Sequence, residues 1–177
     1  MFKTVSEVFN WCETFINHER NLNAATFRLD RMIYLSQLAG DPWKKCRVIH
    51  IAGSKGKGSI SAMLASIFTE KGDSTARFAS PHVLDPRERM TLSNEFFKDE
   101  IYIQGGNELK TIVQRAVMPG KAPPTYFELM CLLFFILVKT VQADTLILET
   151  GLGGRLDATN IIPKPDLCIL MPIELEH

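Results

Sequence analysis

The sequence predicts an α/β protein of three layers, helix–sheet–helix, with a mostly parallel sheet and a phosphate loop. Three observations carry that expectation. Short apolar, β-branched runs alternate with longer stretches of helical periodicity. One strand candidate, Val48-Ile49-His50-Ile51-Ala52, is short, β-branched and mostly apolar, as a strand covered on both faces tends to be. A glycine-rich turn, Gly53-Ser54-Lys55-Gly56-Lys57-Gly58-Ser59, stands between one such strand and one such helix.

The elements follow in order. The first third reads as helical: Thr26 precedes Phe27, Leu29, Met32, Ile33 and Leu35 at a mostly helical spacing, and Gly40 and Pro42 stop it. Val48-Ile49-His50-Ile51-Ala52 is a buried strand by composition. After the glycine turn, Ile60, Met63, Leu64, Ile67 and Phe68 fall on one apolar helical face, with Gly72 placed to cap the C-terminus. Residues 75–79 form a second strand, and 90–97 a hairpin turning at Ser93-Asn94. Residues 99–118 are helical with Gly105-Gly106 as a weak point, and 119–124 are a proline-rich linker. Thr125 and Glu128 have capping-box spacing, so a helix runs from Tyr126 to about Gln142, apolar nearly all round and therefore buried. Residues 145–149 and 167–171 are further strands.

Composition narrows the function classes. The 177 residues carry 20 Lys plus Arg and 20 Asp plus Glu, a net charge of zero, which argues against a protein that lives on a nucleic-acid backbone. With 46% hydrophobic and 23% charged residues the chain is no disordered tract, and its length suits one domain over 1–177. Cys12, Cys46, Cys131 and Cys168 form no Cys-x-x-Cys motif and read as buried thiols in a reducing compartment. The most apolar stretch, 129–138, is half of the roughly 20 residues a bilayer span needs, and no signal peptide opens the chain. The expectation is a soluble cytoplasmic protein without nucleic-acid or membrane partners.

Phosphate needs donors at close range. The three glycines at 53, 56 and 58 let the backbone approach an anion, and the following helix offers unpaired N–H groups at the positive end of its dipole. Lys57 supplies a point charge for phosphate oxygens, and Ser59 a hydroxyl for Mg²⁺. The bland alternative is a turn that binds nothing. The strict Walker spacing is not met, because Gly58 separates Lys57 from Ser59.

That variant, Gly-x-x-Gly-Lys-Gly-Ser, resembles the phosphate loop of the Mur ligase superfamily. Downstream stand Ala79-Ser80-Pro81-His82, then Arg87-Glu88-Arg89-Met90, and Leu148-Glu149-Thr150 followed by Gly151-Leu152-Gly153-Gly154-Arg155-Leu156-Asp157-Ala158-Thr159-Asn160. Together they resemble the folylpolyglutamate synthase and dihydrofolate synthase family, from about residue 29 onward and most weakly over 96–124. The resemblance implies an ATP-dependent ligase. It joins a folate or dihydropteroate carboxylate to the amino group of L-glutamate through an acyl phosphate. The implied fold is that of the Mur ligase central domain, truncated at its C-terminus.

Carried over by residue, the resemblance gives Gly53, Ser54, Lys55, Gly56, Lys57, Gly58, Ser59 and Asn160 to ATP. It makes Lys57 and Glu149 catalytic, and Ser59, Ser80, Glu149 and His177 ligands of Mg²⁺ or a second metal ion. Ser80, Pro81, His82, Asp157 and Thr159 border the substrate. Other readings stay open. Ser80 also suits a plain turn, His82 a structural role, and Arg87 and Arg89 either a solvated or loop-bracing pair or the recognition of a carboxylate. Asp157, Thr159 and Asn160 are equally suited to fixing their own loop. Glu149 is hardest to explain otherwise, because a carboxylate after Leu146-Ile147-Leu148 is costly to bury without a cation.

Lys55, Pro172, Glu174 and Glu176 depart from the family's usual residues. The family continues past the position of His177 with further strands and a glutamate-ligase domain. This chain alone is therefore expected to fall short of full turnover, and a non-catalytic ATP- or phosphate-binding fragment or degenerate paralogue is the alternative. An uncovered sheet edge predicts self-association.

Overall fold

The computed structural model describes residues 1–17, 28–116 and 123–175. In chain order it has α1 (Val5–Glu13), α2 (Leu29–Leu38), β1 (Arg47–Ala52), α3 (Lys57–Glu70), β2 (Thr75–Phe78), β3 (Met90–Leu92), β4 (Glu95–Phe96), α4 (Asp99–Arg115), α5 (Tyr126–Val141), β5 (Thr145–Glu149) and β6 (Leu167–Leu170). One sheet runs β4-β3-β2-β5-β1-β6. Its four strands β2, β5, β1 and β6 are parallel, and the β3–β4 hairpin adds antiparallel to β2. Ser93 and Asn94 turn that hairpin with φ of 48° and 67°, the left-handed pair a tight two-residue turn requires.

Strand alternation divides the interior in two. Val48, Ala76, Phe78, Leu146 and Leu148 face the larger core, which they share with α1, α2, α4 and α5. Ile49, Ile51 and Ile147 face the other way, against α3. At the centre lies α5. Thr125 and Glu128 close the expected capping box, and every side chain from Leu129 to Val138 is buried. Glu128 does a second job there, taking a bidentate pair from Arg31 of α2 at 2.8 and 2.9 Å. The linker stretch 117–122, the residues Thr26 and Phe27, and the last turn expected for the helix at 116–118 lie wholly or partly outside the described residues.

Three expectations need correction. Gly105 and Gly106 are no weak point of α4. An added Cβ would sit 2.6 Å from Leu137 of α5 and 2.5 Å from Val8 of α1, so the glycines are what let three helices close together. The apolar face of α3 is split. Ser61 and Ala65 are buried against the sheet with Ile60, Leu64 and Phe68 beside them, while Met63 and Ile67 are 61% and 60% exposed. The small Ser61 and Ala65 permit the close approach, while Met63 and Ile67 are turned away from it. Among the thiols, Cys12 and Cys131 are buried as expected, but Cys168 lies exposed on the edge strand β6. No helix among the described residues is long and apolar enough to cross a membrane.

Candidate active site

β1 ends at Ala52 and the chain turns at once through the glycine loop. Gly53 has φ of 132° and Gly56, the N-cap of α3, has φ of 82°. Space as well as conformation demands glycine. A Cβ on Gly53 would fall 2.7 Å from the Met171 carbonyl oxygen, and one on Gly56 2.9 Å from Met171 Cε. No side chain caps the N-terminus of α3, so its first N–H groups remain available as donors. Lys57, in the first turn, folds back to donate from Nζ to the Gly53 carbonyl at 2.7 Å.

The remaining loop side chains are divided. Ser54 donates its N–H to the Pro172 carbonyl at 2.9 Å, and its hydroxyl meets the Glu174 backbone at 3.0 and 3.2 Å. Lys55 pairs with the Glu174 carboxylate. These two side chains thus face the segment after β6. Ser59 is exposed on the first turn of α3.

Glu149 closes β5 with only 5% of its surface exposed. A Cβ on Gly58 would stand 3.6 Å from Glu149 Oε2, which places the carboxylate against the start of α3. The backbone N–H of Ser80 donates to this carboxylate, while Oε2 has no hydrogen-bond partner among the described residues. Burial pushes the Glu149 pKa above its usual range, and the charges of Lys57 and Arg77 oppose that shift. A buried, half-satisfied carboxylate beside a glycine-rich loop and an uncapped helix start is suited to a divalent cation.

The carboxylate opens into a cavity of about 360 Å³ whose wall includes Gly58, Arg77, Ser80, Pro81, Thr91 and Phe96. Ser80 and Pro81, joined by a cis peptide bond, are therefore placed together with Glu149. His82 is not on that wall; its Nδ1 accepts from Arg89 Nε at 2.8 Å. Arg89 is buried over the Tyr126 ring, which corrects the solvated reading, and Arg87 braces the loop through Asp85 at 2.7 Å. Arg77 and Thr91 escaped the sequence reading. A charged residue inside the short run Thr75-Ala76-Arg77-Phe78 was the available signal, since an interior strand seldom tolerates one without a purpose.

The 151–160 loop is braced from within. Asp157 is buried; its Oδ2 accepts from the N–H groups of Gly151 and Leu152 at 2.8 and 2.9 Å. Oδ1 accepts from the Thr159 N–H at 2.9 Å and from its hydroxyl at 2.5 Å. Thr159 Oγ1 also meets His50 Nε2 of β1 at 2.8 Å, which ties the loop to the sheet. Asn160 Nδ2 donates to the Arg155 carbonyl at 3.2 Å. Of the two readings open for these residues, loop bracing is the one their contacts carry, and none of the three lines the cavity. Gly151 has its own constraint, because a Cβ there would reach within 2.5 Å of the Phe127 ring.

No protein-family model matches the chain. It is 34% identical over 137 residues to a folylpolyglutamate synthase of Arabidopsis thaliana, covering 77% of this chain and 22% of that protein. It is 35% identical over 150 residues to the dihydrofolate synthase/folylpolyglutamate synthase of Bacillus subtilis, covering 84% of this chain and 35% of that one. The structure of E. coli FolC in complex with DHPP and ADP superposes with a TM-score of 0.81 at 29% identity, over 99% of this chain and 39% of that chain. The chain belongs to the folylpolyglutamate synthase and dihydrofolate synthase family. It spans about a quarter to a third of the length of the curated relatives it matches.

Of the residues the family resemblance assigned to metal, Ser80 and Glu149 stand together, Ser59 follows Gly58 on α3, and His177 lies outside the described residues. Among the described residues no three His, Cys, Asp or Glu side chains gather as a metal site. A cation held here would rest on Glu149, serine hydroxyls and water, a donor set that suits Mg²⁺.

Proposed function

We propose that this chain is the nucleotide-binding part of an ATP-dependent ligase that joins a folate or dihydropteroate carboxylate to the amino group of L-glutamate. The observation that carries the proposal is the buried, unpartnered Glu149 Oε2 set against Gly58 at the uncapped start of α3, with Lys57 beside it. The family's ADP-bound relative supports the same reading.

The loop backbone from Gly53 to Ser59 and the first turn of α3 hold the phosphates through N–H groups. Lys57 leaves the Gly53 carbonyl to meet the terminal phosphate oxygens. Glu149, with the Ser80 and Ser59 hydroxyls, would hold Mg²⁺, and His177 a second ion. Magnesium supplies positive charge to the phosphate oxygens. In the reaction, the terminal phosphoryl group of ATP passes to a carboxylate oxygen and ADP leaves. The glutamate nitrogen then attacks the acyl carbon and expels phosphate, giving the amide. Ser80 and Pro81 border the acid. Asp157, Thr159 and Asn160 serve by holding the 151–160 loop in place, and His82 by holding Arg89.

Calorimetric titration tests the nucleotide site. Lys57→Ala removes one charge-assisted contact to phosphate, so Mg-ATP affinity should fall at least tenfold, about 1.5–3 kcal/mol. Unchanged affinity rejects the site. Nucleotide binding without turnover is the alternative reading. ADP release that depends on both the acid and glutamate decides for the ligase.

The proposal extends to the open edge of the sheet. On β6, Leu167 and Leu170 are 48% and 75% exposed, and we expect this strand to associate with a second copy. Sedimentation showing a well-behaved monomer at high concentration refutes that.

A further inference from the structure

Four arginines among the described residues are at least partly buried, and three of them are paired. Arg31 holds Glu128, Arg87 holds Asp85, and Arg89 donates to His82. Arg77 is different. It stands in the middle of β2, opposite Ile147 of β5 on one side and Thr91 of β3 on the other. Among the described residues no hydrogen bond or ion pair reaches its guanidinium, although it borders the cavity that holds Glu149.

Its neighbour is in the same condition. Thr91 is 7% exposed, and its hydroxyl has no partner among the described residues. The two are cross-strand neighbours on the wall of one cavity. The nearby carboxylates do not satisfy them. Glu88 is taken up by the N–H groups of Val83, Leu84 and Asp85 at 2.7 to 3.0 Å, and Glu149 forms no ion pair with Arg77. Burial lowers the Arg77 pKa, the expected effect on a cation withdrawn from water without a counter-charge at contact distance. A buried hydroxyl and a guanidinium left open cost stability unless something fills the space between them.

We propose that Arg77 and Thr91 form an anion subsite that receives the carboxylate of the acid substrate beside Glu149. This rests on the ligase reading and adds the residues that orient the acid. The guanidinium presents N–H groups in a planar fork that matches the two oxygens of a carboxylate, and the hydroxyl adds a donor at its edge. Phosphate has its own donors at Lys57 and the uncapped start of α3, where Gly58 borders the same cavity. Phe96, opposite Thr91 in the β3–β4 pair and also on the cavity wall, offers an aromatic face to the body of an aryl acid.

The test uses the whole chain, with pteroate and its neutral carboxamide as probes in the presence of Mg-ADP. The wild-type chain should bind pteroate about tenfold or more tightly than the carboxamide, the worth of one charged hydrogen-bond pair. Arg77→Gln should erase that preference by weakening pteroate alone, with Mg-ATP affinity held within about twofold. Arg77→Lys, which keeps the charge and loses the fork, and Thr91→Val should each retain part of the preference. The proposal is overturned if Arg77→Gln keeps the preference, if it weakens the carboxamide equally, or if its loss falls on Mg-ATP. It is overturned too if the wild-type chain does not distinguish the two probes. The ligase reading fails separately, on the Lys57→Ala titration with nucleotide.

Discussion

Asp157 offers the sharpest separation of a structural from a ligand-binding role. Replacing it by Ala removes one acceptor group from four donors: the N–H groups of Gly151, Leu152 and Thr159, and the Thr159 hydroxyl. The donors do not weigh equally. Thr159 is wholly buried, so its N–H is left without water and carries a penalty of about 1–3 kcal/mol. Gly151 is exposed and Leu152 partly so; water replaces the carboxylate there, at about 0.5–1.5 kcal/mol each. The Thr159 hydroxyl can turn to His50 Nε2, which it already meets at 2.8 Å, so it costs little. Against this stands the desolvation cost of the buried carboxylate, which the substitution relieves and which raises its pKa. The net expectation is a loss of about 3 kcal/mol, or roughly 6–12 °C in Tm for a chain of this size. Asp157→Asn should lose about half as much, because one amide oxygen still serves one pair of donors. Thermal and urea unfolding of the two variants measure it. Wild-type stability in Asp157→Ala, together with weakened ligand binding, would overturn the bracing account and return Asp157 to the substrate.

Two further outcomes concern His50 and the thiols. His50 is half-buried on β1, and its partial withdrawal from water holds its pKa below the ordinary 6.5. The unfolded chain therefore takes up a proton that the folded one refuses. This contribution to stability is present above pH 6.5 and is lost as pH falls through that value toward the lower folded one. A His50→Asn variant should show a flatter stability profile in that window; identical slopes refute the assignment. Among the thiols, burial pushes Cys12 up to about 12 and Cys46 up to about 11, and Cys131 is raised well above its usual value. Titration with a disulfide reagent at pH 8 should therefore count one fast thiol, Cys168, and release Cys12 and Cys131 only on unfolding. Four fast thiols would contradict the core described above.

Much of the fold was legible along the chain because its signals are local. The hairpin at Ser93-Asn94 is written in two residues tolerant of positive φ, and the start of α5 in Thr125 and Glu128 three positions apart. The strand–glycine–helix order placed the turn between β1 and α3, and the apolar run before Glu149 marked that carboxylate as a buried one. In each case neighbouring residues carry both the conformation and the chemistry.

Other features depend on residues far apart in sequence, and periodicity cannot see them. Which side of α3 meets the sheet was settled by the room at Ser61 and Ala65, not by the count of apolar residues. Gly105 and Gly106 look like helix breakers until Val8 and Leu137 stand against them. Asp157 and Thr159 were open to two roles, and the reach of His50 across from β1 favours one. Arg77, Thr91 and Glu149 share a cavity because the pairing of β3 with β2 and of β2 with β5 sets them side by side. Register is a long-range property. It is fixed when one face of each strand must be buried, and that condition exists only once the sheet has formed.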